Sequence, residues 1–230
     1  MSKTSWIIFV AVVVVLFGGL VIWNRTSNPP VDTSEVDASS ILSASDASGG
    51  IGDHVKGTAS SKVVLVEYGD FQCPSCSRAH TSVDQLMDEY GDRIAFVFRN
   101  FPLTSIHPNA RAASGAAEAA GLQGKFWEMY DLLFTNQANW SPLDSSQRTT
   151  VFTGYAEQLG LDIAKFSEDF AGSAIGKKIS FDVSLGKRNG VESTPNFFLN
   201  GKTIDNTASS SFVNGDSTAL KELIDKALAE

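Results

Sequence analysis

The sequence has few cysteines and fewer basic than acidic residues, and both features exclude classes of protein. Cys73 and Cys76 are its only cysteines, so a disulfide-rich scaffold and a zinc site with four thiolate ligands are excluded. Lysine and arginine total 18 against 26 acidic residues, which gives a net charge of −8. Binding to nucleic acid requires clustered cations, so we expect no nucleic-acid partner. With 230 residues, 43% of them hydrophobic, the chain can bury the core of one large domain.

One long hydrophobic run lies near the N-terminus. Residues 6–23 carry no charge, and 18 residues of α-helix extend about 27 Å, close to the roughly 30 Å hydrocarbon core of a bilayer. Polar residues follow the run where a signal peptide would have a small-residue cleavage site. We therefore predict a retained transmembrane signal anchor over residues 1–23. Lys3 and the terminal amine weakly favour an N-terminus inside the cell.

The next segment, residues 24–52, is rich in Ser, Asp and Gly and contains no aromatic residue. A composition of this kind does not supply the apolar surface needed for a core. A flexible chain of this length has an end-to-end distance of about 30 Å. We predict a flexible polar linker that tethers a folded domain over residues 53–230.

The beginning of this domain has a strand, helix, strand pattern. Residues 63–68 form a nearly continuous β-branched run, typical of a strand buried on both faces. Residues 74–90 place apolar side chains at helical spacing and stop before Gly91. A second strand over residues 94–99 completes a βαβ unit, which requires the two strands to be parallel.

The rest of the domain is helical before it returns to strands. Ala-rich and aromatic amphipathic segments predict a helical insertion over residues 105–190. Residues 196–199 read as a strand, and the Asn200-Gly201 pair predicts a tight hairpin turn. A last amphipathic helix is predicted over residues 217–228. The expected fold is therefore α/β, with a β-α-β unit, a helical insertion and a β-β-α unit.

The two cysteines lie in the sequence Cys73-Pro74-Ser75-Cys76, at the predicted junction of strand and helix. Two intervening residues on a first helical turn bring the sulfurs close enough for a disulfide. Cys73 lies at the helix N-terminus, where N–H groups and the helix dipole stabilise a thiolate, and Cys76 lies one turn deeper. Pro74 suits the first helical position, where its missing N–H is not needed. We predict that Cys73 attacks and that Cys76 resolves the mixed disulfide.

Two other interpretations of this cysteine pair need weighing. His80 follows Cys76 by four residues and offers a third metal ligand, but a fourth ligand is missing, so we expect no metal. A purely structural disulfide would close a four-residue loop and add little stability. A redox-active pair is the preferred interpretation.

Several separated motifs resemble the DsbA-type thiol–disulfide oxidoreductases, in the order in which that family carries them. The likeness spans residues 53–230 and implies a thioredoxin fold with an inserted helical domain. The motifs are VLVEYGDFQCPSC (64–76), RNFPL (99–103), His107-Pro108, GKFW (124–127), Thr194-Pro195 and FFLNG (197–201).

The resemblance also implies roles for individual residues. Thr194-Pro195 matches a loop in which a cis proline faces the cysteines and the preceding residue binds the substrate chain. Glu67 matches a buried acid that assists proton transfer at the resolving thiol. Phe71, Pro74 and Ser75 match positions that line the substrate groove. Ser75 stands where strongly oxidising relatives carry His, so less stabilisation of the Cys73 thiolate is expected from this position.

By this resemblance the protein is expected to be an oxidase that donates the Cys73–Cys76 disulfide to exported proteins. A membrane quinone-linked partner, DsbB-like or vitamin K epoxide reductase-like, would reoxidise it. The catalytic domain is expected to lie on the outer side of a prokaryotic cytoplasmic membrane, with residues 6–23 in the bilayer. We expect a monomer without a separate cofactor or metal, because the cysteine pair is itself the redox group.

Other functions use the same residues and stay open at this point. An extracytoplasmic reductase or isomerase requires the same cysteine pair. A tethered chaperone or substrate-binding module would use the groove without turnover. A cysteine-based metallochaperone would bind a metal through the two thiols.

Overall fold

The computed structural model describes residues 31–230 and, nearer the N-terminus, Trp6, Phe9, Val10, residues 12–15, Phe17 and Gly18, which are helical. Two compact units are present, Met1–Asp32 and Thr33–Glu230. Within the described part of the chain, no helix has the length and apolar character required to cross a bilayer. The predicted anchor over residues 1–23 lies largely outside the described residues and stays a prediction.

The second unit is built on a five-stranded mixed sheet. The strands are β1 (Val55–Gly57), β2 (Val64–Gly69), β3 (Ala95–Asn100), β4 (Asn196–Leu199) and β5 (Lys202–Thr203). Their order in the sheet is β1-β3-β2-β4-β5. The central strands β2 and β3 are parallel, as the predicted βαβ unit requires, and β4 pairs antiparallel with the other side of β2. The edge strands β1 and β5 pair antiparallel with β3 and β4.

Helices connect and cover this sheet. In the second unit they are α1 (Pro74–Tyr90), α2 (Ala110–Gly121), α3 (Phe126–Thr135), α4 (Gln137–Trp140), α5 (Ser145–Gln158), α6 (Ile163–Ala171), α7 (Ser173–Arg188), α8 (Asn206–Val213) and α9 (Thr218–Ala229). The first, α1, links β2 to β3, and the helices α2–α7 lie between β3 and β4, which confirms the predicted helical insertion. The helices α8 and α9 follow the β4–β5 hairpin.

Both faces of the sheet are covered by apolar side chains. Along β2, Leu65 belongs to the larger core, which includes residues of α1, of the insertion and of the C-terminal helices. Val66 and Tyr68 of the same strand belong to a second, smaller core on the other side. Burial on both sides accounts for the unbroken β-branched run in the sequence, since neither face of the strand meets water.

Residues 33–52 differ from the prediction of a flexible linker. The Arg99 guanidinium donates hydrogen bonds of 2.8 Å to the carbonyls of Ala38 and Ser40. Leu42 and Ile51 are buried, and the compact unit starts at Thr33 instead of residue 53. A buried guanidinium has five N–H donors that need acceptors, and the main chain of this segment supplies two of those acceptors. The predicted linker is therefore wrong for residues 33–52, and residues 24–30 lie outside the described residues.

A buried network of charges joins this segment to the sheet and the insertion. Asp53 accepts from Arg99 at 2.7 Å and from Lys178 at 3.0 Å, and Lys178 also bonds Asp182 at 2.8 Å. The side chains of all four residues are at most 1% exposed. Burial alone would raise the pKa of Asp53, but the Lys178 and Arg99 cations outweigh it and hold the pKa at about 2. Asp53 is therefore ionised at neutral pH and balances two buried cations.

Replacing this carboxylate should destabilise the domain strongly. Asp53→Asn leaves Arg99 and Lys178 short of one anion, so the free energy of unfolding should fall by about 3–5 kcal/mol. Urea denaturation of the full chain measures this loss. Asp92→Asn is the control, since the Asp92 side chain is 83% exposed, and its effect should stay within about 0.5 kcal/mol. Similar losses for the two variants would contradict the assigned role of the network.

Candidate active site

The cysteine pair lies where β2 leads into α1. Cys73 immediately precedes the helix, which begins at Pro74, and its backbone is extended. Its N–H donates a hydrogen bond of 3.0 Å to the Asp70 carbonyl. Both cysteines are free thiols; Cys73 is 7% exposed and Cys76 is fully buried. Of the two sulfurs, the one at the helix N-terminus is the more accessible, as the spacing predicts.

A loop from the far end of the chain meets Cys73. The Thr194–Pro195 peptide bond is cis, as the resemblance implies, and it immediately precedes β4. The Cys73 sulfur lies 3.5 Å from the Thr194 carbonyl oxygen. Thr194 and Pro195 are half-buried, and the Thr194 hydroxyl has no hydrogen-bond partner among the described residues. The antiparallel pairing of β4 with β2 brings this loop to the cysteines.

The two thiols have opposite acidities. The Cys76 thiol and the N–H groups of Cys76 and Ser75 at the helix start stabilise a negative sulfur, so the pKa of Cys73 falls from 9.0 to about 5 despite partial burial. Complete burial raises the pKa of Cys76 well above its usual value, and the hydrogen bond that its thiol makes to the Cys73 sulfur adds to this effect. At neutral pH the reduced site therefore contains a Cys73 thiolate and a Cys76 thiol.

Glu67 lies beneath the cysteines in the middle of β2. It is fully buried, and neither carboxyl oxygen has a hydrogen-bond partner among the described residues. Burial and the negative charge of Cys73 raise its pKa to about 8, and the nearby Cys76 thiol offsets part of the shift. Glu67 is therefore largely protonated at neutral pH. A protonated carboxyl beside Cys76 can give a proton to that sulfur and take it back.

The residues predicted to line the substrate groove differ in their exposure to solvent. Pro74 is exposed and Ser75 is partly exposed, so both are accessible to another chain. Phe71 is fully buried, with its ring 4.8 Å from that of Phe98 and 4.9 Å from that of Phe134. The prediction that Phe71 lines the groove is therefore wrong, because α3 of the insertion covers it. Its contribution is to pack the loop that carries Cys73 onto the core.

Gln137 is a site residue that the sequence analysis missed. Its side-chain amide donates to the carbonyls of Phe71, at 2.7 Å, and Cys73, at 3.0 Å. It lies in α4, a single turn of helix that no apolar periodicity marks, so the sequence offers no signal for this contact. Through it the insertion fixes the main chain on which Cys73 is mounted.

His80, the candidate third metal ligand beside the cysteines, has other partners. Its Nε2 lies 2.9 Å from Asp131 and 3.3 Å from Asp84. Of the residues that the structure describes, these three form a group with metal-ligating side chains close together, and the group contains neither cysteine. Lys56 already supplies a cation to Asp84 at 2.7 Å. His80 therefore does not add a third ligand to the two thiols.

Comparison with known sequences defines the class of the protein. The sequence model of the thioredoxin family matches residues 50–222, which include both cysteines, the cis proline and the whole helical insertion. The chain belongs to the thioredoxin family.

The chain is also similar to regions of larger curated proteins. It is 43% identical over 150 residues to a protein from Salinispora arenicola named Na(+)/H(+) antiporter NhaA 1, and 40% identical over 154 residues to a namesake from Mycolicibacterium gilvum. Each match covers 65% of this chain but only 22% and 24% of those proteins. Their names therefore describe larger molecules, of which this chain matches one region.

Solved structures extend the comparison to the fold. BdbD from Bacillus subtilis has a TM-score of 0.65 and 22% identity, over 83% of this chain and 97% of its own. The α-DsbA1 of Wolbachia pipientis scores 0.63 at 21% identity, over 77% of this chain and 91% of its own. MdbA of Corynebacterium diphtheriae, named a thiol–disulfide oxidoreductase, scores 0.60 at 22% identity, over 82% and 99%. The predicted DsbA-type resemblance is confirmed at the level of the fold, and the site has the arrangement used for thiol–disulfide exchange.

The acidity of Cys73 can be tested by its alkylation. In reduced protein the rate of reaction with iodoacetamide should rise with pH around a midpoint near 5, because the thiolate is the nucleophile and the pKa is about 5. Below that pH the thiol is protonated and the rate falls. Cys73→Ser is the control, since Cys76 is buried with a raised pKa and should react slowly throughout this range. A wild-type midpoint near 9 would contradict the assignment.

Proposed function

We propose that the protein is a thiol–disulfide oxidase that donates the Cys73–Cys76 disulfide to cysteine pairs of exported proteins. The observation that carries the proposal is the pairing of a stabilised thiolate at Cys73 with a fully buried Cys76. Stabilising the thiolate stabilises the reduced form, and a pair whose reduced form is stabilised gives its disulfide away readily. Ser75 between the cysteines adds no charge, so the stabilisation comes from the helix start and the Cys76 thiol.

The reaction balances with these groups alone. A substrate thiolate attacks the Cys73 sulfur, the Cys73–Cys76 bond breaks, and its electron pair goes to the Cys76 sulfur, which takes a proton from Glu67. The product is a mixed disulfide between the substrate and Cys73. A second substrate thiolate then attacks the substrate sulfur and releases the Cys73 thiolate. The substrate gains a disulfide and the protein keeps both electrons as a reduced cysteine pair.

The exposed surface around Cys73 is suited to a protein substrate. Pro74 is exposed next to Cys73 in the chain, and the half-buried Thr194–Pro195 loop contacts the Cys73 sulfur. Among the residues that the structure describes, the Thr194 hydroxyl has no hydrogen-bond partner. An extended substrate chain beside Thr194 would bring its own cysteine to Cys73. Thr194, Pro195, Pro74 and Ser75 are accordingly proposed as the substrate contacts.

The setting proposed for this reaction follows from its chemistry. Disulfide donation is useful in an oxidising compartment, so the domain is placed outside the cytoplasmic membrane of a prokaryote, with residues 6–23 in the bilayer. The electrons pass to a membrane quinone-linked partner of the DsbB or vitamin K epoxide reductase kind. The protein acts as a monomer and uses no nucleic acid and no cofactor beyond its cysteines.

Single cysteine variants test the order of attack. Cys73→Ser should abolish oxidation of a reduced substrate protein, because it removes the attacked sulfur. Cys76→Ser should instead be mixed with a substrate protein that contains a disulfide: its Cys73 thiolate attacks that bond, one substrate sulfur leaves as a thiolate, and the mixed disulfide at Cys73 should accumulate because the resolving sulfur is missing. Non-reducing electrophoresis and mass spectrometry measure both outcomes. A Cys73→Ser protein that keeps substantial oxidase activity would contradict the proposal.

The direction of electron flow is tested by the reduction potential of the full chain, equilibrated against glutathione buffers. An oxidase should have a potential well above the about −270 mV typical of thioredoxin, because its reduced form is stabilised. Cys73→Ser is the negative control, because it has no cysteine pair that can form a disulfide. A thioredoxin-like value would favour a reductase instead.

A further inference from the structure

The peptide groups of a single residue, Asp70, contact both cysteines. Its N–H donates to the Cys76 sulfur at 3.5 Å, and its carbonyl accepts from the Cys73 N–H at 3.0 Å. Asp70 itself is fully buried at the end of β2. When a thiolate attacks Cys73 and the disulfide opens, negative charge develops on the Cys76 sulfur. The Asp70 N–H contacts this sulfur.

The side chain of Asp70 anchors this peptide to the opposite loop. One carboxylate oxygen accepts from the N–H of Gln72 at 2.7 Å. The other accepts from the N–H of Leu103 at 2.8 Å and from His107 Nδ1 at 2.7 Å. The first contact closes a local turn of a kind that Asp commonly forms. The other two join the active-site loop to the segment between β3 and α2.

We propose that Asp70 and His107 are a positioning pair for the resolving cysteine, holding the Asp70 peptide N–H against the Cys76 sulfur as it leaves. The inference rests on the proposed thiol–disulfide exchange. In that step the S–S bond breaks and the electron pair goes to Cys76, whose burial makes its negative charge costly. An N–H donor already in place stabilises that charge without reorganisation. In the reduced protein at neutral pH the negative charge lies on Cys73 and not on Cys76. The Asp70–His107 pair therefore affects chiefly the rate at which the Cys73–Cys76 disulfide opens.

The chain contains a second imidazole–carboxylate pair that serves as a control. His54 Nε2 lies 3.0 Å from Glu118, with side chains 18% and 1% exposed. The corresponding values for His107 and Asp70 are 2.7 Å, 17% and 0%. Glu118 bonds Asn100 instead of a cysteine loop. The two pairs therefore match in chemistry and burial, but only the carboxylate of the His107–Asp70 pair belongs to the loop that carries the cysteines.

The test measures how fast dithiothreitol reduces the oxidised full chain. His107→Phe keeps a ring but removes the donor, and the rate should fall about fivefold to tenfold, the loss expected when one hydrogen bond to a charged group is weakened. His107→Gln retains an N–H donor and should stay within about twofold of the wild type. The alkylation midpoint of Cys73 should not move in either variant, because its own stabilising contacts remain.

His54→Phe and His54→Gln complete the comparison and should leave the reduction rate unchanged. Thermal unfolding verifies that each variant is folded, and His107→Leu replaces His107→Phe if the latter is not. The inference is wrong if His107→Phe reacts like the wild type, if His54→Phe slows reduction equally, or if His107→Gln fails to restore the rate. A wild-type protein that forms no reducible disulfide would instead overturn the proposed function, and the inference with it.

Discussion

The buried guanidinium of Arg99 imposes the constraint on which much of this domain depends. A fully buried cation must be surrounded by acceptors and an anion, and here these come from Asp53 and the carbonyls of Ala38 and Ser40. Asp53 in turn binds Lys178 of α7, and Asp182 of the same helix accepts from the main chain of Asn100, where β3 ends. The N-terminal segment, the sheet and the insertion are thus joined through one network. The loop that carries Leu103 and His107 begins where this network fixes β3.

The active site has a second constraint, since one helix N-terminus can stabilise only one of two adjacent sulfurs. Cys73 occupies that position and becomes acidic, whereas Cys76 and Glu67 are buried and retain their protons. These opposite pKa shifts give the two sulfurs different roles. An incoming chain meets the accessible sulfur at Cys73, and the protons that balance the exchange remain inside the domain. The difference in acidity between Cys73 and Cys76 therefore follows from their positions relative to the start of α1.

The sequence was sufficient for the central strands, α1, the helical insertion, the last helix and the cysteine pair, because periodicity and spacing are local properties. The Asn200-Gly201 turn is an example: both residues have positive φ, 47° and 74°, as the dipeptide predicts. The short edge strand β1 and the helix α8 were not predicted. Residues 33–52 were not predictable in this way, because their composition does not reveal that their carbonyls meet Arg99. Phe71 was misassigned because its burial depends on α3, far along the chain. The cis bond before Pro195 was expected only from the family resemblance.

The insertion is part of the active site's architecture as well as a cover for the sheet. Phe71, Gln72 and Cys73 precede the helix in sequence, and each is held by the helical region. Phe71 packs on Phe134, Gln72 donates to the Ser141 carbonyl at 2.9 Å, and Gln137 bonds the Cys73 carbonyl. On the other side, Thr194 approaches Cys73 through β4. The position of the reactive sulfur is therefore set by two regions distant in sequence, so changes in the insertion are expected to affect redox chemistry without touching a cysteine.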